Sequence, residues 1–283
     1  MYSIGMSKRK TITLIIAAAL VIAAGAFFGV RAVRNSSGPA VPILMYHSVC
    51  EDETKAGRYI VTDDVFRSDM EYLQRNGYTA VFVSDLIAYV YDGTPLPEKP
   101  VVISLDDGYL NNLTDVLPIL RDTGMKAVVS VIGSGSENAS ANGGAAFAHL
   151  SWDEVRELSD SGYVEIANHT WNMHENAPDG RRGCKKMSGE STEEYRAALT
   201  EDISKLQSVL EEKTGKAPET FTYPYGKISP EAEAALKDMG FKAALTCKAG
   251  MNYLTGDPGQ LFELHRFNRP TGLSTGLFML RIK

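Results

Sequence analysis

The 283-residue chain has room for one large domain or two small ones, and its 44% hydrophobic content supplies a real core. Five of its 29 Lys and Arg lie in the first 34 residues, where there is no acid. The remaining 24 face 35 Asp and Glu, a net of −11 that argues against nucleic acid as a partner. Cys50, Cys184 and Cys247 form no CxxC pair, which speaks against a zinc knuckle and against a disulfide framework; one bridge of unspecified pairing fits an exported protein.

Residues 11–30 are uncharged and mostly apolar, with Lys8, Arg9 and Lys10 before them and Arg31 and Arg34 after. That length matches the hydrocarbon thickness of a bilayer, so a transmembrane signal-anchor is expected over 11–30. The basic cluster favours a cytoplasmic N-terminus at 1–10 and an exported C-terminal domain. A cleaved signal peptide ending near Ala24-Gly25-Ala26 is the alternative. The apolar run is longer than most signal peptides need, which favours the anchor, and both readings export the domain. No Cys follows at a lipobox position. Residues 31–40 read as a linker to a domain at 41–283.

Within that domain, runs rich in Val, Ile and Phe predict strands at 41–45, 78–83, 101–105, 126–132, 163–167, 219–222, 241–246 and 262–267. Helices are expected between most of them. Residues 63–76 put Phe66, Met70 and Leu73 on one face, and Gly77 ends the helix. Ser151 with Glu154 is a capping box, and so is Ser191 with Glu194, which opens a long helix with Leu199, Ile203, Leu206 and Leu210 inward. Ser229-Pro230 reads as a cap followed by proline at the first helical position. Strand–helix alternation predicts an α/β domain, and seven to eight strands suit a distorted parallel (β/α) barrel better than an open sheet. Residues 133–150 and 175–190 read as irregular. Arg181, Arg182, Lys185 and Lys186 in the second read as a solvated loop, with a rim for an anionic polymer as the functional alternative.

In such a barrel the strand C-termini converge on one face, where the active site sits. Four predicted strand ends carry polar residues there: His47 after the first, Asp106 and Asp107 after 101–105, His169 after 163–167, and Tyr223-Pro224-Tyr225-Gly226 after 219–222. Each alone has an ordinary explanation, since Asp-Gly is a turn signal and a lone His is usually a hydrogen-bonded core residue. Together they suggest one centre. One carboxylate with His169 and His174 makes a three-ligand metal site with open positions, and the other carboxylate is left to act as a base. His149 reads as structural or surface. Trp152 and Trp171 read as core or groove wall, with Trp171, between the two His, as a second choice for lining a sugar site.

These residues resemble the polysaccharide deacetylases of the NodB-homology, carbohydrate esterase 4 type, from about Val41 to Pro270. Ser104-Leu105-Asp106-Asp107-Gly108 is similar to the family's first motif, with Leu105 where Phe is usual. His169-Thr170-Trp171-Asn172-Met173-His174 is similar to the second. The wider spacing of that pair, with Pro42-Ile43-Leu44-Met45-Tyr46-His47 and Tyr223-Pro224-Tyr225-Gly226, looks like the branch of poly-N-acetylglucosamine deacetylases. The resemblance implies that Asp107, His169 and His174 bind Zn²⁺ or another divalent metal and that Asp106 is the general base. It further implies that His47 is the general acid and that the Tyr225 backbone N–H helps hold the oxyanion. Where the third motif usually has an Arg that orients the carboxylate, this chain has Tyr223; Arg266 is expected to replace it from another strand. His265 echoes a late family motif but is left without the acid role, which His47 fills.

The expected function is removal of N-acetyl groups from an N-acetylglucosamine-containing polymer of wall or matrix, by a membrane-anchored extracytoplasmic domain. A metal-dependent O-acetyl esterase, a silent glycan-binding surface protein and a two-carboxylate glycosidase are the alternatives.

Overall fold

The computed structural model describes residues 38–142, 148–175 and 180–283. The expected membrane segment at 11–30 and most of the linker lie outside the described residues. No helix among the described residues is long and apolar enough to cross a membrane.

One curled sheet organises the domain. Its strands are β1 (Ile43–Tyr46), β2 (Thr79–Ala80), β3 (Pro100–Leu105), β4 (Ala127–Val131), β5 (Val164–Asn168), β6 (Thr220–Thr222), β7 (Ala243–Leu245) and β8 (Phe267–Asn268). The spatial order is β7-β6-β5-β4-β3-β1-β8, with β2 on the start of β3. All pairings are parallel, as in Ile43 opposite Val102 and Ala127 opposite Val164. Leu264 bridges back to Leu245, and Thr246 N–H donates to the Leu264 carbonyl at 2.9 Å. Residues 264–268 thus touch β7 at one end and β1 at the other, and close the curl.

The strands are buried on both faces, which is why they read as continuous apolar runs. Alternation along β3 still sorts them. Val102 clusters with Ile43, Val128, Ala167, Ala243 and Leu245 on the inner face. Val101, Ile103 and Leu105 pack outward on helices α1 (Asp63–Arg75), α3 (Leu117–Thr123) and α5 (Trp152–Asp160). Helix α2 (Val83–Asp92) packs on the inner cluster through Val83 and Leu86.

The local start signals work as expected. Thr62 caps α1, and both capping boxes are formed, Ser151–Glu154 at α5 and Ser191–Glu194 at α6 (Thr192–Thr214). Four expectations need correction. Residues 78–83 supply only the two-residue β2, because Phe82 is already the N-cap of α2. Residues 133–142 form a helix, α4 (Gly133–Asn142), within the segment read as irregular; it lacks an apolar stripe and is held by Ser140 and Glu137 bonding Trp152. Helix α7 (Ala232–Asp238) starts later than the Ser229-Pro230 signal, whose Ser229 hydroxyl instead accepts from Lys186 N–H at 2.9 Å. The last predicted strand, 262–267, begins inside a 3-10 turn, Pro258–Glu263; Leu264 makes a single bridge to Leu245, and strand pairing proper begins at Phe267.

Candidate metal centre and active site

Strand β3 delivers two carboxylates in different directions. Alternation turns Asp106 inward, where its N–H donates to the Tyr46 carbonyl at 3.0 Å. The chain then reverses through left-handed conformations at Asp107 (φ 74) and Gly108 (φ 66). A Cβ on Gly108 would sit 3.2 Å from the Val131 Cα, so this position needs glycine. Asp107 has no such freedom, and its left-handed backbone costs roughly 1–2 kcal/mol. It is held by its surroundings: the His149 ring Nδ1 bonds the Asp107 carbonyl at 2.8 Å, and Leu150 N–H donates to the Gly108 carbonyl at 2.8 Å. His149, read as structural or surface, is thus a support of the site.

Strand β5 ends at Asn168, and the N–H of His169, the next residue, donates to the Val131 carbonyl at 3.0 Å. Thr170 follows in a left-handed conformation (φ 72), a clear outlier for a β-branched residue. The turn is fixed from three sides. Thr170 N–H donates to Asn168, Trp171 and Asn172 N–H both donate to the Asp202 carboxylate of α6 at 2.8 Å, and Gly133 N–H donates to the Thr170 carbonyl at 3.0 Å. This turn brings His174 back over Asp107. Strained non-glycine backbone clusters at functional sites. Among the described residues it occurs at Asp107, Thr170 and Tyr225, all in this cleft.

Asp107 Oδ1 lies 3.4 Å from His169 Nε2 and 3.2 Å from His174 Nε2. Ligand atoms of the three residues all fall within 4.8 Å of one another. The hydrogen bonds of the donor set fit a divalent cation. His169 Nδ1 is 2.7 Å from the Thr222 carbonyl, which can only accept, so Nδ1 carries the proton and a neutral ring turns its Nε2 lone pair toward Asp107. That lone pair faces a carboxylate oxygen that is buried and has no hydrogen-bond partner among the described residues. Burial, the largest influence, raises the Asp107 pKa, but the two histidines against its carboxylate outweigh it and hold it well below the usual carboxylate range. Burial disfavours a charged His169, yet Asp107 and Asp106 outweigh it and raise its pKa. Both directions mark a site that attracts positive charge.

Asp106 is bound edge-on by Arg266: Nη1 to Oδ1 at 2.6 Å and Nη2 to Oδ2 at 2.8 Å. Arg266 is fully buried and also donates from Nε to the Thr246 carbonyl at 2.7 Å. Burial pushes the Asp106 pKa up, but the guanidinium prevails and lowers it. His47 Nε2 stands 4.0 Å from Asp106 Oδ2. Burial, the largest influence, lowers the His47 pKa despite the two nearby carboxylates. Asn112 Nδ2 donates to the His47 carbonyl at 3.0 Å, from a π-turn at Asn112–Val116.

Tyr225 lies at the rim, its ring 4.5 Å from the His174 ring and its backbone left-handed (φ 57). Tyr223 is buried and its hydroxyl has no hydrogen-bond partner among the described residues. The structure therefore brings His47, Asp106, Asp107, His169, His174, Tyr225 and Arg266 into one cleft. His265 instead bonds Asn252 through its backbone. Trp171 packs on the core with the Lys205 ammonium 3.9 Å from its ring centroid. Arg181 and Lys186 pair with Glu190 and Glu231. Residues 176–179 of that loop lie outside the described residues. Sequence reasoning missed Asp202 and Asn112, whose partners are backbone groups; the Asp202 position inside a helix gave no signal.

Comparison with known proteins defines the class. The family model described as "Polysaccharide deacetylase" matches residues 93–244. A poly-beta-1,6-N-acetyl-D-glucosamine N-deacetylase of Escherichia coli (strain K12) is 30% identical over 229 residues, 74% of this chain and 34% of that protein. The chain thus spans about a third of the length of that curated relative. A solved de-N-acetylase from Aggregatibacter actinomycetemcomitans superposes with a TM-score of 0.74 at 27% identity, covering 86% of this chain and 100% of that one. IcaB from Ammonifex degensii shares the fold, with a TM-score of 0.72 at 23% identity over 87% of this chain and 98% of that one. The chain belongs to the polysaccharide deacetylase family.

Proposed function

We propose that this protein is a metal-dependent N-deacetylase acting on a polymer that contains N-acetylglucosamine, releasing acetate and leaving a free amine on the glycan. The observation that carries the reading is the Asp107, His169 and His174 cluster beside a second carboxylate, Asp106, clamped by Arg266. Those three residues would hold the cation, and the imidazole and carboxylate donors suit Zn²⁺. When bound, it polarises the acetamide carbonyl and lowers the pKa of water toward ~7.

The chain's own residues do the rest. Asp106 accepts the proton of the attacking water, and Arg266 holds the carboxylate in one orientation so that no reorganisation is needed. Water oxygen bonds to the acetyl carbon, and the C–N bond breaks as the nitrogen takes a proton. His47 is assigned as the donor for that step. Its lowered pKa leaves it neutral at rest, so the proton it delivers is acquired in the reaction, and Asp106 at 4.0 Å is the source. The Tyr225 backbone N–H is assigned to the oxyanion. The domain is exported and tethered by residues 11–30, a reading supported by their uncharged length and by Lys8, Arg9 and Lys10 before them.

The test is acetate release by the full chain from poly-N-acetylglucosamine oligomers and from peptidoglycan, with and without chelator and Zn²⁺, beside Asp106→Asn. Metal-dependent release that is lost in the variant is expected. Release insensitive to chelator refutes the mechanism, and activity confined to O-acetyl esters would make the protein an esterase.

A further inference from the structure

Tyr59, Tyr91, Tyr225 and Tyr253 are exposed tyrosines, and two of them stand over the catalytic cleft. Tyr59 is 47% exposed and its ring centroid is 4.7 Å from that of His47. Tyr225 is 44% exposed and packs on His174. One ring flanks the base and acid, the other flanks the metal ligands.

A single exposed tyrosine requires no explanation. Tyr59 differs in how it is held. Its turn is closed by Gly57 N–H donating to the Ile60 carbonyl at 2.8 Å. The Tyr59 carbonyl accepts from Ser48 N–H at 3.2 Å, and the Gly57 carbonyl accepts from Thr271 N–H at 3.1 Å. The Arg58 carbonyl accepts from Asn268 Nδ2 at 3.2 Å. Three hydrogen bonds from other parts of the chain thus fix the backbone under a ring that is left open to solvent. The exposed Arg58 guanidinium, 5.2 Å from the ring centroid, adds hydrogen-bond donors beside it.

A rigid, uncovered aromatic face suits a ligand that is apolar on one side and polar at its edges. A pyranose ring is such a ligand: its C–H bonds present an electropositive face to the aromatic quadrupole, and its hydroxyls point outward. We infer that Tyr59 is a stacking platform for a pyranose unit of the glycan, with Tyr225 as the opposing wall, which seats the chain so that one acetamide lies between Asp106 and the His174 side. This rests on the deacetylase reading for the identity of the polymer.

The test is binding of a penta-N-acetylglucosamine oligomer to the chelator-treated full chain by calorimetry, together with kcat and KM for acetate release by the metal-loaded chain. Tyr59→Ala is expected to weaken binding and raise KM roughly tenfold, the scale of one aromatic contact. Tyr59→Phe keeps the ring and is expected to keep the affinity, and an unchanged melting curve shows that the variants fold. Unchanged Kd and KM in Tyr59→Ala overturns the inference. So does a fall in kcat at constant KM, the mark of a ring that only braces His47. An oligomer bound by wild type and weakened by the variant, but never deacetylated, would sink the deacetylase reading and leave the platform standing.

Discussion

Removing the Arg266 side chain should expose how much of this domain's stability hangs on one ion pair. Arg266 and Asp106 are both buried and joined by two short hydrogen bonds, so neither charge has water to fall back on. In Arg266→Met the carboxylate stays buried without its counter-ion, which costs about 3–5 kcal/mol. Small domains are stable by only about 5–15 kcal/mol, so the loss is a large share. Arg266→Lys should recover little, because an ammonium cannot make the paired edge-on bonds. The double variant Arg266→Met with Asp106→Asn removes both charges and should be only about 1–2 kcal/mol below wild type, mainly the lost donor to Thr246. Urea unfolding of the chelator-treated full chain at neutral pH gives all four corners of the cycle, with the m-value checked for constancy. A loss below about 1 kcal/mol in Arg266→Met, or strict additivity in the double variant, would refute the reasoning, since a coupled buried pair cannot be additive.

Two further outcomes follow from groups away from Asp106. Asp202 holds the turn between His169 and His174 through the N–H groups of Trp171 and Asn172, so Asp202→Ala should weaken Zn²⁺ binding about 10–100-fold in competition with a chromophoric chelator, and an unchanged affinity would count against this support. Burial raises the Glu165 pKa although Ser84 N–H bonds its carboxylate. A carboxyl whose folded pKa is raised favours the folded state only once protonated, so its penalty is present above that pKa and fades as pH falls toward the unfolded value near ~4.3. Glu165→Gln should therefore be more stable than wild type at pH 7, with the gap closing in acid; a gap that widens in acid would show the sign to be wrong.

Much of the fold was legible because its signals are local. Capping boxes at Ser151 and Ser191 work through a side chain three residues from its partner, and apolar runs such as 101–105 are read off directly. The helix at Gly133–Asn142 was not legible, because it has no apolar stripe and depends on bonds to Trp152. The last strand was misplaced because Leu261, Phe262 and Leu264 are buried as a strand would be, but from a 3-10 turn and its exit.

The site divides the same way. The candidate donors were legible in the sequence, with Asp106 and Asp107 side by side at a strand end and His169 and His174 joined by one short turn. Adjacent residues at a strand end must separate their side chains, and that follows from local geometry alone. Only the tertiary structure decided what surrounds them. Arg266 lies 160 residues from Asp106 in sequence and meets it because residues 264–268 close the sheet. His149, Asp202 and Asn112 bond backbone groups, and every residue but proline offers the same backbone groups, so no side-chain pattern announces such a partner.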